Sequence, residues 1–357
     1  MCPRLTAPRL LPVGVATVLV LFLVAVQLLG AATEAATPAL ERIFARALVG
    51  DAAALGLGWL GSYALGNGSV VAALSLSLFT VGLVSASQLF LLLAGSRLGA
   101  AAIVVFVGGL DHVRNERDSL RESVGLGVLT FLLTHSIYLP VTLFGYLALP
   151  LLHDPIFVAG ADQGLGDRPV AWTAPLTTAV TMRLGPVPSV LLAVALLFGS
   201  LHLFDRLLAA VDTTTVRRRV FGHFEHTWRS FALGLVVTGA STSVAFSLGV
   251  AVPLYNRGYV DRDELLPYVL GANLGTLFDT LVVALVLDSA VGVALVLLLF
   301  GTAGLVTVGA LLVRDRYGRL VAAVDDRLLV DRRAFVGFVL SLVLVPLLLV
   351  AVPLVAG

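Results

Sequence analysis

The sequence predicts an all-α polytopic membrane protein. Of its 357 residues, 59% are hydrophobic and only 13% are charged, whereas a soluble domain carries about 25% charged residues. The mean hydropathy is +1.01. Apolar runs of about 20 residues recur along the chain, and this is the length of helix that crosses a bilayer. The lipid bilayer is therefore a predicted partner, nucleic acid is not, and the single cysteine, Cys2, excludes disulfides.

The first half of the chain contains three predicted membrane crossings and one predicted hairpin. The crossings are residues 10–32, 85–107 and 123–149. The amphipathic pattern of residues 37–50 predicts a helix lying in the membrane interface. Residues 51–84 are apolar but are interrupted by Gly66-Asn67-Gly68-Ser69. As one helix they would be about 50 Å long, too long for a single crossing, so we expect a re-entrant helical hairpin.

The second half repeats this order and adds one span. Its crossings are residues 187–211, 265–287 and 289–313, followed by an extra C-terminal span at residues 334–354. An amphipathic basic stretch, residues 213–229, precedes a second predicted hairpin, residues 230–255, with a polar centre from Thr238 to Ser243. Residues 111–122 are predicted to be a solvated loop, and residues 315–333 are charged. The predicted domains are a first repeat (10–150), an extracytoplasmic linker (151–175) and a second repeat with the extra span (176–357).

Matching residues at matching spacings support the internal repeat. A glycine lies thirteen residues before both Gly95 and Gly271, and a long polar residue, Gln88 or Glu264, lies seven residues before each. Matching Ser69 with Ser243 gives spacings of 26 and 28 residues to these two glycines. One small insertion in the second half would reconcile them.

The placement of arginines predicts the topology. We place the N-terminus inside, let both hairpins return to their own side and let seven segments cross. Of the 23 basic residues, all of them arginine, 18 then fall on the cytoplasmic side and four outside, as the positive-inside rule requires. Because three is an odd number of crossings, the second repeat has the opposite orientation in the membrane to the first, as in many secondary transporters. The predicted location is the plasma membrane, with a cytoplasmic N-terminus.

Two glycine-rich stretches, Gly95–Gly99 and Gly271–Thr276, interrupt predicted spans. Glycine costs about 1 kcal/mol relative to alanine in a helix interior. Irregular backbone survives in a membrane only where it is buried in protein or lines a wet cavity, and broken helices are where transporters bind ions and substrates. We therefore expect broken helices here. The alternative is a helix whose glycines allow close packing against a neighbour.

Four polar interruptions are predicted to meet near the bilayer midplane. They are the two glycine-rich stretches and the two hairpin centres, Gly66–Ser69 and Ser241–Ser243. Hydroxyl, amide and freed carbonyl oxygens are hard ligands suited to Na⁺, and half-helix N-termini suit an anion. The candidate substrate- and ion-binding residues are Asn67, Ser69, Ser96, Arg97, Ser241, Thr242, Ser243, Asn273, Thr276 and Asp279. Of these, Ser243, Asn273 and Thr276 are the Na⁺ candidates. No cofactor beyond this coupling ion is expected.

Two motifs of the second half resemble those of the sodium/phosphate cotransporter family. Gly271-Ala272-Asn273-Leu274-Gly275-Thr276 is similar to its Gly-Ala-Asn-x-Gly-Thr motif, and Ala240-Ser241-Thr242-Ser243-Val244 to its Gln-Ser-Ser-Ser-Ala motif. The resemblance implies inverted repeats whose hairpin tips and unwound helices bind phosphate and Na⁺. It implies binding roles for Ser241, Thr242, Ser243, Asn273 and Thr276. The expected partners are thus Na⁺ and inorganic phosphate or a similar small anion.

The first half departs from this pattern at Arg97, where the family motif has asparagine. An arginine inside a span is costly and should face the bundle interior and pair. A bound oxyanion, held through the guanidinium donors, is one predicted partner, and Asp279 within another span is the second. The third alternative is that the side chain extends to the membrane interface. Asp279 could equally bind Na⁺ or H⁺.

The predicted function is secondary active transport, sodium-coupled symport of phosphate, and not catalysis. The alternatives are sodium- or proton-coupled transport of another small anion, an intramembrane lipid-pyrophosphate phosphatase, and a membrane scaffold without transport activity. The phosphatase chemistry needs acidic residues beside a Ser-Arg phosphate site, and the spans contain Ser96-Arg97 but no glutamate. Oligomerisation is compatible with all of these.

We predict that the loop around Arg117 and the stretch around Arg218 lie on the same, cytoplasmic, side of the membrane. Single cysteines introduced by Arg117→Cys and Arg218→Cys in a Cys2→Ser background should both react with a membrane-impermeant reagent from the cytoplasmic face only. Labelling of the two positions from opposite faces would contradict the arrangement with two returning hairpins.

Overall fold

The computed structural model describes residues 10–114, 120–161, 171–209, 226–242, 247 and 261–356. Across these ranges the regular structure is helical. Besides a short 3-10 turn (Ala171–Thr173), the helices are α1 (Leu10–Ala47), α2 (Gly50–Leu65), α3 (Gly68–Thr80), α4 (Ala86–Arg114), α5 (Leu120–Ala161), α6 (Ala174–Leu184), α7 (Pro186–Ala209), α8 (Thr227–Ser241), α9 (Arg262–Gly275), α10 (Leu277–Val286), α11 (Ala290–Leu312), α12 (Arg314–Val330) and α13 (Arg332–Ala356).

Seven segments of the described chain are helical, long and apolar enough to cross a membrane. They are Pro12–Arg42, Ala86–Phe106, Gly127–Leu151, Pro186–Leu208, Arg262–Val286, Ala290–Leu312 and Arg332–Pro353. Each overlaps one of the seven predicted crossings, which are thereby confirmed as apolar helices. Helices α2 and α3 have 16 and 13 residues, or about 24 and 20 Å at 1.5 Å per residue, and each is shorter than a bilayer core.

The first helix is longer than the sequence predicts. α1 continues for 38 residues to Ala47, with Pro38 inside it, so the prediction of a separate interfacial helix at residues 37–50 is wrong. Alanine is the best helix former, and the alanine-rich stretch between residues 31 and 39 continues the helix through Pro38.

Several predicted connections are also helical. α5 runs through Ala161, into the predicted linker, and residues 315–330 belong to α12. Both ends of the predicted loop at residues 111–122 lie in helices, because α4 continues to Arg114 and α5 begins at Leu120. Most of the basic stretch at residues 213–229 lies outside the described residues, and α8 begins at its end, at Thr227.

The predicted break at Gly95–Gly99 is wrong, and the one at Gly271–Thr276 is reduced to a single residue. α4 is continuous through Gly95 and Gly99. α9 is helical through Gly275, and Thr276, which separates it from α10, keeps right-handed helical angles (φ −65°, ψ −16°). The alternative interpretation, glycines for close packing, is the one that the structure supports.

The chain falls into two compact units. The α2–α4 unit comprises residues 42–75, 84–158 and 294–357, and the α8–α9 unit comprises residues 1–41, 76–83 and 159–293. Among the described helices, the most extensive contact in each unit is between α2 and α4 and between α8 and α9, respectively.

In the first helix pair, α2 and α4 touch backbone to backbone. A side chain at Gly58 would collide with the Leu92 carbonyl, one at Gly95 with the Leu55 carbonyl, and one at Gly99 with the Trp59 carbonyl. In lipid, helices associate through van der Waals packing at small residues, and Gly95 and Gly99 form the four-residue spacing typical of such contacts.

The second helix pair repeats these contacts at positions numbered 176 higher. A side chain at Gly234 would meet the Tyr268 carbonyl, one at Gly271 the Phe231 carbonyl, and one at Gly275 the Leu235 carbonyl. The helix ends repeat as well. α2 and α8 end at Leu65 and Ser241, and α4 and α9 begin at Ala86 and Arg262. The glutamine and glutamate that accept from the backbone before α4 and α9 are Gln88 and Glu264.

This constant offset corrects the predicted alignment of the repeat. Both α2 and α8 end in a left-handed residue, Gly66 (φ 63°) and Thr242 (φ 50°), so the residue equivalent to Ser243 is Asn67 and not Ser69. No insertion is needed between the two halves. Matching by serine identity misaligned the residues that follow α2 and α8 by two positions.

The extra C-terminal helix, α13, docks on α2 through a carbonyl that a proline has released. Pro346 lacks the N–H that would bond to the carbonyl of Leu342 four residues earlier, and the Tyr63 hydroxyl donates to that carbonyl instead (2.9 Å). Gly56 lies directly under Pro346, where a Cβ would approach the proline carbonyl to 2.7 Å. Tyr63 is held in place by the Trp59 indole N–H (2.6 Å).

We expect Gly271→Ala to lower the stability of the purified protein by about 1–3 kcal/mol, the usual cost of overpacking, because the atoms it meets are backbone. Gly301→Ala on α11 is the matched control, since a Cβ there meets nothing within 4 Å and glycine is itself unfavourable in a helix. Thermal unfolding in detergent compares the two. Equal melting temperatures for both variants would contradict the packing role of Gly271.

Candidate functional site

The polar residues of α9 and α10 lie mainly on a face turned away from the helix pair contact. Gly271 and Gly275 face α8, and Asn273, two residues from each, is rotated about 200° from them. Thr276 and Thr280 follow Asn273 at helical spacings of three and seven, so the three share one face. Asn273 and Thr276 are each 9% exposed, and the polar face is therefore buried.

The hydroxyl hydrogens on this face are already committed. Thr276 Oγ1 donates to the Asn273 carbonyl (2.7 Å), and Thr280 Oγ1 donates to Asp279 Oδ1 (2.9 Å). A hydroxyl has one hydrogen and two acceptor lone pairs, so these two groups present oxygen to a ligand. Asp279 is 3% exposed. The Asn273 amide adds another oxygen to this face. Asp279, four residues after Gly275, lies nearer the glycine side of the helix and joins the group through its hydrogen bond from Thr280. Oxygen groups of this kind suit a cation.

The C-terminal end of α8 holds the next candidates, Ser241 and Thr242. Ser241 is buried, with a long 3.5 Å contact from its Oγ to the Thr238 carbonyl. Thr242 has φ 50° and ψ 18°, a left-handed conformation that is uncommon for a residue other than glycine and a genuine outlier for a β-branched one. Such a residue costs of order 1–3 kcal/mol and is typical of functional sites. Ser243 lies outside the described residues.

In the first helix pair, Asn67 caps α3. Its side-chain Oδ1 accepts from the backbone N–H groups of Ser69 (2.8 Å) and Val70 (3.3 Å), as an N-cap residue does. Because its oxygen is committed to the cap, Asn67 can offer a ligand its two amide hydrogens and so suits an anion better than Na⁺. Ser69 is half-buried in the first turn of α3.

The start of α3 rests on α4 beside Arg97. A Cβ at Gly68 would lie 2.7 Å from the Ser96 carbonyl and 2.9 Å from Ala100 Cβ. Ser96 is fully buried, and its hydroxyl donates to the Leu93 carbonyl (2.7 Å) while its carbonyl accepts from Ser62 Oγ (3.0 Å). The Ser96 hydroxyl and the Ser96 carbonyl thus both form hydrogen bonds within the first helix pair.

Arg97 is 6% exposed. It lies two residues from both Gly95 and Gly99, the glycines that contact α2, and is therefore on the opposite side of α4. At the constant offset of 176 it is the equivalent of Asn273. Arg97 belongs to the α2–α4 unit and Asp279 to the α8–α9 unit, and the predicted Arg97–Asp279 pair stays a prediction.

The structure thus collects the predicted site residues into two groups. Ser241, Thr242, Asn273, Thr276 and Asp279 belong to the α8–α9 unit, and Asn67, Ser69, Ser96 and Arg97 belong to the α2–α4 unit. The predicted convergence of the two groups stays a prediction. Among the described residues, no group of three histidine, cysteine or acidic residues could hold a transition metal.

Sequence reasoning missed two members of the α8–α9 group. Thr280 shares the polar face, and its spacing of four from Thr276 could have identified it. Thr238 lies beside Gly275; its hydroxyl is fully buried and, among the described residues, has no hydrogen-bond partner. Thr238 begins the polar centre of the second predicted hairpin, and this position could have added it to the candidates.

Residues 196–324 match the Na⁺/Pi-cotransporter family. They are a Na⁺/Pi-cotransporter family domain. The match includes both motifs of the second half and all of α8, α9 and α10, and it leaves the first helix pair outside. No curated protein and no solved structure matches the chain.

The seven apolar helices and this family domain support a multi-pass membrane protein, and the domain supports a sodium-coupled transporter. The family is one of cotransporters and not of enzymes, which weighs against the lipid-pyrophosphate phosphatase. The hydroxyls of Thr276 and Thr280, whose hydrogens are already donated, are consistent with Na⁺ as the coupling ion.

We expect Thr242→Gly to stabilise the protein by about 1 kcal/mol, because glycine adopts the left-handed conformation without the strain that threonine carries. Thr242→Ala is the control that removes the hydroxyl and keeps the strain. Melting temperatures in detergent should rank Thr242→Gly above Thr242→Ala. The reverse order would show that Thr242 is not strained.

Proposed function

We propose that this Na⁺/Pi-cotransporter family member carries inorganic phosphate across the plasma membrane by symport with Na⁺. The observation that carries the proposal is that one family match spans both Ala240–Val244 and Gly271–Thr276, which include the buried polar residues Ser241, Asn273 and Thr276. The N-terminus is cytoplasmic in this proposal, as the arginine distribution favours.

In this proposal Na⁺ and phosphate bind to different kinds of group. Na⁺ is held by groups that present oxygen, namely the hydroxyls of Thr276 and Thr280, the Asp279 carboxylate and the Asn273 amide oxygen. Phosphate needs donors, and Asn67 and Arg97 supply them. A guanidinium offers several N–H groups in a planar fork that matches a phosphate edge.

The repeated helix pairs support an inverted-repeat transporter. In such proteins the site lies at the repeat interface near the bilayer midplane, and one part moves against the other to alternate access. The left-handed turns at Gly66 and Thr242 are then the tips of two re-entrant hairpins. Hairpins that return to their own side also give the arginine distribution described above.

Uptake into proteoliposomes tests the proposal. Radiolabelled phosphate should accumulate when Na⁺ is higher outside than inside, and accumulation should disappear with K⁺ or choline in its place. Excess sulfate as a competitor separates a phosphate transporter from a carrier of other small oxyanions, and a proton gradient without Na⁺ separates the two coupling ions. Phosphate uptake that is equal in Na⁺ and K⁺ would contradict the proposal.

We expect Asn273→Ala to abolish Na⁺-dependent uptake while the protein stays folded. The substitution removes a ligand amide, but the Asn273 carbonyl that anchors Thr276 remains. Thr302→Ala on α11 is the control, because the Thr302 hydroxyl only bonds to its own helix at Leu298 and Leu299. Uptake at the wild-type rate by well-expressed Asn273→Ala would remove Asn273 from the site.

A further inference from the structure

The two helix pairs share one backbone arrangement but carry opposite charges. The glycine contacts and helix ends place Arg97 on α4 where Asn273 lies on α9. Arg97 is buried with 6% exposure, and Asp279, one turn beyond Thr276, is buried with 3%. The first pair thus contains a buried positive charge, whereas α10, which continues the second pair, contains a buried carboxylate.

The first pair has also lost the oxygen ligands of the second. At the same offset of 176, Ala100 stands in place of Thr276, Ile103 in place of Asp279, and Val104 in place of Thr280. A sodium ion needs several oxygen ligands, and these three side chains have none. The loss of the ligands and the gain of arginine occur within eight consecutive residues of one helix.

We propose that the Arg97 guanidinium permanently replaces one coupling Na⁺, so that Na⁺ binds at the second helix pair and not at the first. The inference rests on the proposed function and specifies its coupling. Charge balance gives the reason, since an anion in a low-dielectric site must be neutralised. An arginine stays protonated in proteins and cannot leave, and the positive charge it supplies does not have to be drawn from the external solution.

The consequence is a lower Na⁺ requirement. A transporter with the asparagine, threonine and aspartate set in both pairs would draw a cation from solution at each. This chain draws one at the second pair, and Arg97 supplies the other charge without moving across the membrane.

Counting bound Na⁺ tests the inference without phosphate. Equilibrium binding of ²²Na⁺ to purified protein in detergent is measured for the wild type and for the triple variant Arg97→Asn/Ala100→Thr/Ile103→Asp. This variant gives the first pair the residue types found at Asn273, Thr276 and Asp279. The variant should bind one more Na⁺ per chain than the wild type. An unchanged number in a variant that elutes as a folded, monodisperse species would overturn the inference.

A second measurement does not depend on folding of that variant. Removing the ligands of the second pair, by Thr276→Val and Asp279→Asn in the otherwise wild-type chain, should abolish saturable Na⁺ binding. Saturable binding that persists would show that the first pair binds Na⁺ and would overturn the inference. So would an Arg97→Asn variant that unfolds and is repaired by Asp279→Thr, because Arg97 would then neutralise a carboxylate. Absence of phosphate uptake by the wild type contradicts the proposed function alone, since the Na⁺ counts are made without phosphate.

Discussion

Close contact between helix backbones determines the positions of the candidate binding residues in this protein. In hydrocarbon, apolar side chains gain nothing by leaving lipid for protein, so helices associate through packing at small residues. The carbonyls of Leu55 and Phe231 lie so close to Gly95 and Gly271 that no side chain fits between. That contact sets the rotation of α4 and α9, and through it the face on which Arg97 and Asn273 lie.

The same contact reconciles glycine-rich sequence with continuous helix. An interrupted helix in a membrane leaves backbone N–H and carbonyl groups without partners, which costs several kcal/mol for each. Glycine in a helix costs only about 1 kcal/mol, and close packing offsets that cost. The chain therefore keeps α4 intact and limits the irregularity in α9 to Thr276, where backbone angles stay helical.

Length and hydropathy predicted the seven crossing helices, because these depend on composition alone. The state of the glycine stretches could not be predicted, since the same residues allow a helix to break or to pack closely, and only the neighbouring helix decides. The register of the repeat was predicted with a false insertion because serines were matched, whereas the chain conserves a backbone conformation. Threonine so rarely adopts a left-handed conformation that Thr242 gave no signal, although glycine at the equivalent position 66 does favour one.

The candidate residues of the second pair were predicted from motif resemblance, and their chemistry became visible only with the structure. Thr276 and Thr280 donate their hydroxyl hydrogens within the helix, which suits them to a cation, and the cap made by Asn67 leaves it amide hydrogens that suit an anion. The two similar helix pairs differ in buried charge, with Arg97 on α4 and Asp279 on α10. In the proposed coupling, the first pair provides a fixed positive charge and the second provides an exchangeable Na⁺ site.

The most direct test of a site that takes Na⁺ and phosphate together is ligand-dependent thermal unfolding of the purified protein. A ligand that binds only the folded state raises the melting temperature by mass action. Phosphate is expected to raise the melting temperature when Na⁺ is present and to have no effect when choline replaces Na⁺. A melting temperature that phosphate leaves unchanged at every Na⁺ concentration would contradict a shared site for the two ions.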